Sequence, residues 1–271
     1  MFFAPRQLSF VLSASHHGTM IVNRNDYNKN EDSNEYYGVG YHILNSACFD
    51  VDEISLILQL LSCRRKYYGN GVFVIDGGAN IGVHTLECSR YMQGWGSVLS
   101  FEAQERIFYA LAGNIAINNC TNAQAKLSAL GAETGKMLIP RPDYNRSASF
   151  GSLELKQKIG TEFIGQYVSY SDDDCDEVSV ISLDSLDLLR LDFIKIDVEG
   201  MEMDVFQGGI EQICKHHPII LVETLKSDKE KINNFLIGMG YKVFPCGINA
   251  LAIHNSDPTL NEITGVKKVL K

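Results

Sequence analysis

The sequence predicts an α/β fold: a mostly parallel sheet of seven strands, helices on both faces and a C-terminal antiparallel hairpin. Two short apolar runs and the alternation around them carry that expectation. Val72 to Ile75 reads Val-Phe-Val-Ile and Phe193 to Ile196 reads Phe-Ile-Lys-Ile. Such β-branched and aromatic runs fill strands that are buried on both faces. Each is followed by an acid and glycine, Asp76-Gly77-Gly78 in one case and Asp197-Val198-Glu199-Gly200 in the other. Between and around them, strand-like runs alternate with helical stretches of ten or more residues, which requires a parallel sheet.

Taken in order, residues 1–70 form an N-terminal cap of short strands, a loop and a helix. A strand or hairpin is expected near the start; residues 1–14 only faintly resemble a signal peptide, with a short apolar core and the single charge of Arg6. The Asn-rich stretch 23–37 reads as an exposed loop. A helix is expected over 52–67, with Ile54, Ile57, Leu58 and Leu61 on one face, ended by Gly69-Asn70-Gly71. The main domain, 71–255, then runs strand 72–76, helix 80–92, strand 97–101, helix 105–118 and strand 124–130. Regularity breaks at 141–177, a polar insertion flanked by two strands able to pair, 136–140 and 178–181. A connection that long in a compact domain suits an acceptor-binding loop, and its Asp172-Asp173-Asp174 reads as a solvated turn. A short helix at 182–186, strand 192–196, one helix over 201–216, strand 218–223, helix 228–239 and a hairpin of 241–245 with 249–254 complete the sheet. Residues 256–271 form a polar, basic tail.

Composition narrows the function classes. At 45% hydrophobic and 21% charged residues, the chain is an ordinary globular sequence. A formal net charge of −9 argues against a large nucleic-acid footprint. No run approaches the roughly 18 apolar residues that cross a membrane. The seven cysteines are scattered without a C-x-x-C pair, so a reducing, cytoplasmic compartment is the default.

The site is legible from spacing. Asp76 ends the first strand, where open α/β sheets place ligands. Gly77, Gly78, Ala79, Asn80 and, after Ile81, Gly82 form a turn in which backbone can approach a ligand closely. A pyrophosphate binder needs G-x-G-x-x-G, and Asn80 stands where its second glycine should fall. The Asp76 carboxylate would repel a pyrophosphate and attract an ammonium. S-Adenosylmethionine carries an ammonium and a sulfonium and no phosphate, so this cofactor is favoured over NAD. Glu102 lies 20 residues past Gly82, an offset suited to accepting both ribose hydroxyls; the plain alternative is a solvated acid at a strand end.

Asp76-Gly-Gly-Ala-Asn-Ile-Gly, Phe101-Glu102 and Ile194-Lys-Ile-Asp-Val-Glu-Gly-Met-Glu202 together resemble the FkbM-type class I S-adenosylmethionine-dependent methyltransferases. The resemblance covers roughly residues 71–254. It implies a Rossmann-like fold, a cofactor site built from the turn with Phe101 and Glu102, contact of the 128–131 turn (Ala129 within it) with adenine, and transfer of a methyl group to a hydroxyl of a sugar or small metabolite.

Hydroxyl methylation also needs a base or a metal to handle the acceptor's proton. Asp197, at a strand end facing the pocket, is the first candidate. Glu223 and Glu199 stand near it, and three convergent carboxylates would either raise one another's pKa values or bind a divalent cation. His84, one turn into the first helix, is a further base candidate, the plain alternative being a packed or solvated helix histidine. Glu202 reads as a helix cap. Lys195 either pairs with an acid or snorkels to solvent and carries no assigned role. Two rival functions stand beside methyl transfer: an NAD-dependent oxidoreductase, and a non-catalytic module that keeps the fold and uses 141–177 to engage a partner.

Overall fold

The computed structural model describes residues 7–30 and 34–262. The first six residues of the leader-like start, and the basic part of the tail from 263 onward, lie outside the described residues. The chain begins with a hairpin, β1 (Phe10–Ser15) and β2 (Gly18–Asn23). Two short strands, β3 (Asn28–Lys29) and β4 (Tyr36–Tyr37), precede helices α1 (Val39–Ser46) and α2 (Val51–Tyr68). The alternating unit is β5 (Val72–Gly77), α3 (Val83–Tyr91), β6 (Gly96–Glu102), α4 (Glu105–Ile117) and β7 (Ala123–Leu127). A side sheet follows, of β8 (Ala129–Leu130), β9 (Gly135–Pro140) and β10 (Cys175–Ile181). The second half runs β11 (Phe193–Ile196), α5 (Glu202–Gln207), α6 (Ile210–His216), β12 (Ile219–Glu223), α7 (Lys229–Gly238), β13 (Tyr241–Cys246) and β14 (Asn249–His254).

The expected mostly parallel seven-stranded sheet is present, in the order β13-β14-β12-β11-β5-β6-β7. β14 runs antiparallel to both neighbours, so the C-terminal hairpin exists with its second strand on the inside. The apolar strands bury both faces, and alternation decides which residue goes where. Val74, Phe193 and Leu221 pack with Leu61, Leu86 and Ala110 of α2, α3 and α4. Ile75, Ile194 and Ile220 pack with Val205, Ile213 and Ile232 of α5, α6 and α7. The central pair, β5 and β11, lies where the strand order reverses, and the crevice beyond its carboxyl ends is where such a sheet receives ligands.

Three expectations are corrected. The strand over 124–130 breaks at Ser128: β7 stays in the main sheet, while β8 leaves it to pair with β10. The helix over 201–216 is two helices, interrupted at Gly208-Gly209. A Cβ on Gly208 would lie 2.2 Å from the Gly131 carbonyl oxygen, so the chain there passes too close to the β8 turn for a continuous side-chain-bearing helix. The 23–37 stretch is partly interior, because Asn23 and Asp26 are buried. Asp26 accepts backbone amides from Gly40 at 2.8 Å and Phe150 at 3.0 Å, which joins the N-terminal segment to the 141–177 insertion. Ala148, Phe150, Leu153 and Ile164 of that insertion are buried in the core on the α2–α4 side.

Candidate active site

β5 and the turn after it form the floor. Gly78 adopts φ +77°, and a Cβ there would lie 1.7 Å from the Asp197 carbonyl oxygen. Only glycine lets the turn pass beneath the end of β11. The amides of Gly78 and Ala79 donate to the Phe101 carbonyl at 3.0 and 2.9 Å, which ties the turn to β6. Asn80 takes a left-handed conformation, φ 50°, and its own side-chain oxygen accepts the next amide at 2.7 Å. Asp76 is 2% exposed; one carboxylate oxygen accepts the Thr85 hydroxyl at 2.6 Å, and the other is buried without a partner.

Glu102 closes the floor at the end of β6. Its two oxygens accept the amides of Asn80 at 3.0 Å and Gln104 at 2.8 Å. Burial pushes its pKa up to about 7, against the pull of those amides. Above this floor lies a cleft of about 900 Å³. Gly78, Ala79, Asn80, Phe101, Glu102 and Ala129 line one part of it, and His84, Asp197, Glu199 and Glu223 another. Asp76, Gly77 and Gly82 stand behind the wall and shape it.

The structure brings Asp197, Glu199 and Glu223 together, with one oxygen of each within 4.8 Å of the others. Two lysines share their charge. Lys195 Nζ lies 2.8 Å from Asp197, and Lys226 Nζ lies 2.6 Å from Glu199 and 2.8 Å from Glu162. Burial opposes a charge on Lys195, yet Asp197, Glu53 and Asp76 hold its ammonium well above the ordinary lysine range. Burial and the Asp197 charge raise Glu199 well above an ordinary carboxylate. The same two causes push Glu223 up to about 8. Glu202 adds to the charge that raises Glu223, but its own oxygens are taken up by structural bonds. Its buried carboxylate accepts the amides of Val198 and Gly200 and holds the strand-end turn in place.

A second grouping faces the same cleft. His84 Nε2 lies 3.0 Å from Glu53, and one atom each of Asp50, Glu53 and His84 fall within 4.8 Å of one another. Partial burial pushes the Glu53 carboxyl up, yet His84, Lys195 and Asn249 hold it below the usual range. Sequence reasoning missed Asp50, Glu53, Lys226 and the role of Lys195. For Lys195 a signal exists: strand alternation turns it away from Ile194 and Ile196, and its register partner on β5 is Asp76. For the other three, the contacts depend on how α2 and the loop after β12 fold back over the sheet.

Among the described residues, no helix is long and apolar enough to cross a membrane. Comparison with known proteins places the chain. The model of the methyltransferase FkbM domain matches residues 76–243, more than half of the sequence. Methyltransferase 1 of Beauveria bassiana (strain ARSEF 2860) is 28% identical over 145 residues, which are 50% of this chain and 57% of that protein. The crystal structure of an FkbM methyltransferase from Methylobacillus flagellatus KT aligns with 16% identity and a TM-score of 0.49, covering 68% of this chain and 44% of that one. The Pyrococcus abyssi tRNA (uracil-54, C5)-methyltransferase, solved with S-adenosyl-L-homocysteine, aligns with 11% identity and a TM-score of 0.43 over 90% of this chain and 44% of that one. The chain thus spans about half the length of these relatives. By the extent of the domain match, it belongs to the FkbM methyltransferase family.

Proposed function

We propose that the chain is an S-adenosylmethionine-dependent O-methyltransferase acting on a hydroxyl of a sugar or other small metabolite. Family membership implies the cofactor and favours methyl transfer over the nicotinamide reading. The residues fit the group: a glycine turn at Gly78 that no side chain could replace, the Glu102 carboxylate on the cleft wall for ribose hydroxyls, and the Asp76 carboxyl just behind that wall, which favours an ammonium over a phosphate. When bound, S-adenosylmethionine supplies a methyl group on a positively charged sulfur.

The observation that carries the oxygen-acceptor reading is Glu223. It faces the cleft beside Asp197 with a pKa of about 8, near the pH at which a general base works best. Glu223 takes the proton shed by the acceptor hydroxyl as that oxygen forms its bond to the methyl carbon. Lys195 holds the Asp197 carboxylate in place, so Asp197 serves as fixed negative charge that keeps Glu223 basic. The lining carries Asp50, Asp52, Glu53, Glu102, Asp197, Glu199 and Glu223. Lys195 is the one lysine or arginine among the described lining residues and is already paired with Asp197, so the cleft offers no free cation to hold a phosphate, which supports an acceptor without phosphate and agrees with the net charge of −9. The 141–177 insertion contributes Ser149, Gly151, Leu153 and Leu155 to the cleft, in keeping with an acceptor-binding role.

For the test, purified protein is mixed with methyl-¹³C S-adenosylmethionine and a panel of sugars, polyols and phenols. Expected is S-adenosylhomocysteine release with the label on oxygen, and a loss of about a hundredfold or more in kcat for Glu223→Gln with the KM for S-adenosylmethionine unchanged. Label on nitrogen or carbon would overturn the oxygen assignment.

A further inference from the structure

We infer that Asp50, Glu53 and His84 form a binding site for one divalent first-row cation on the α2–α3 side of the cleft. Their converging ligand atoms, within 4.8 Å of one another, offer one imidazole nitrogen and two carboxylate oxygens. That mixed set suits Mn²⁺ or Zn²⁺ better than a purely oxygen-seeking ion. His84 is 8% exposed, and its Nε2 is buried without an aligned hydrogen bond although Glu53 Oε1 lies only 3.0 Å away. A buried imidazole nitrogen beside one carboxylate oxygen, with the Asp50 carboxylate converging on both, is an arrangement suited to ligands around a common centre.

The bland role for two acids at a helix start is capping, and the structure does not use it. Asp50 is the N-cap residue just before α2 and Glu53 follows three positions later, the spacing of a reciprocal capping pair. Asp50 nevertheless makes no side-chain cap bond, and Glu53 is turned toward His84 and the Asn249 side-chain amide. Asn249 is then the outer partner that orients a ligating carboxylate.

Charge separates this grouping from its neighbour. Asp197, Glu199 and Glu223 carry three carboxyls, offset by Lys195 on one and Lys226 on another. Among the described residues, no lysine or arginine nitrogen comes within ion-pair distance of Asp50 or Glu53; Lys195 acts on both only from farther off, which leaves negative charge beside the histidine for a dication to balance. The remaining coordination positions open on the cleft, so the ion would meet acceptor oxygens there. That last consequence rests on the proposed methyl transfer; binding of the ion does not.

The test is a Mn²⁺ titration of the full chain followed by the electron paramagnetic resonance of free Mn²⁺, with S-adenosylhomocysteine binding measured separately by calorimetry. Expected is one ion per chain, weakened tenfold or more by Asp50→Asn, by Glu53→Gln and by His84→Gln, and unchanged by Glu223→Gln. Asp50 is exposed, so its variant keeps the fold, and thermal melts verify this for all four. Absence of stoichiometric binding overturns the site, as does loss in Glu223→Gln with retention in Asp50→Asn. If S-adenosylhomocysteine still binds when Mn²⁺ does not, the metal site fails and the methyl-transfer reading stands; the reverse result retires that reading alone.

Discussion

Glu102 accepts the backbone amide of Asn80 at 3.0 Å, so the carboxylate that ends β6 fixes the glycine turn that follows β5. The second oxygen takes the Gln104 amide at 2.8 Å. One buried side chain therefore sets the spacing between two loops on the floor of the cleft. In Glu102→Gln the amide NH₂ must face a backbone N–H, leaving at least one buried donor unpaired. Loss of a charge-assisted bond in such a place costs about 1.5–3 kcal/mol. The variant is expected to melt at lower temperature and to bind S-adenosylhomocysteine at least about tenfold more weakly by calorimetry. Unchanged affinity would remove Glu102 from the cofactor site.

Gly78 offers a sharper test of how the turn meets β11. Gly78→Ala combines a positive φ of +77° with a Cβ 1.7 Å from the Asp197 carbonyl oxygen. Gly94 has nearly the same φ, +79°, with nothing within 4 Å, and so isolates the conformational part. Gly94→Ala should cost about 1–2 kcal/mol, whereas Gly78→Ala should exceed it by at least ~2 kcal/mol through backbone displacement. Urea denaturation of the two variants reads the difference, and equal costs would mean that the close approach to Asp197 is easily relieved.

These two positions also mark what the sequence makes legible. β5 and β11 are readable because strands buried on both faces must be continuously apolar, and Val72 to Ile75 and Phe193 to Ile196 are. Asp76, the turn and Glu102 follow from fixed offsets along that strand–turn–helix–strand unit. What stays hidden depends on distant neighbours. The apolar period from Met203 to Ile210 runs unbroken across Gly208-Gly209, and only contact with Gly131 reveals the interruption. Polar residues of the 23–37 stretch look solvated until the Gly40 and Phe150 amides arrive to meet Asp26. Lys195 reads as an oddity in a buried strand until Asp197, Glu53 and Asp76 surround it.

Glu223 yields a prediction in two directions of pH. Its pKa of about 8 in the folded chain lies far above the ordinary glutamate value of about 4.3. The folded state thus binds the proton more tightly than the unfolded chain does. This group's stabilising contribution is full below about pH 4.3 and is lost as pH rises through about 8. Activity runs the other way, because the base must be ionised: kcat/KM should climb through about pH 8. Denaturation midpoints between pH 6 and 9 should fall less steeply in Glu223→Gln than in the wild type, and the variant should lose the rise in kcat/KM. A parallel pH dependence of stability in both proteins would place the titration elsewhere.

Asp26 tests whether the N-terminal segment and the 141–177 insertion act as one body. Its carboxylate is buried between the amides of Gly40 and Phe150, and burial outweighs those two bonds to push its pKa up to about 6. Because that value is raised from 3.8, the stability linked to its proton is present below about pH 4 and is lost as pH rises through about 6. Asp26→Asn removes the buried charge but offers a single acceptor to two donors, and the orphaned amide costs about 1–3 kcal/mol. The isolated bridge between Asp26 and Ala148 and the Ala148 amide on Asn25 lie within the same joint. Asp26→Asn should therefore raise hydrogen exchange at both the Gly40 and Phe150 amides while leaving the β5–β11 core protected. Faster exchange at only one of the two amides would mean that the cap and the insertion open independently, and an acceptor could then enter by moving either alone.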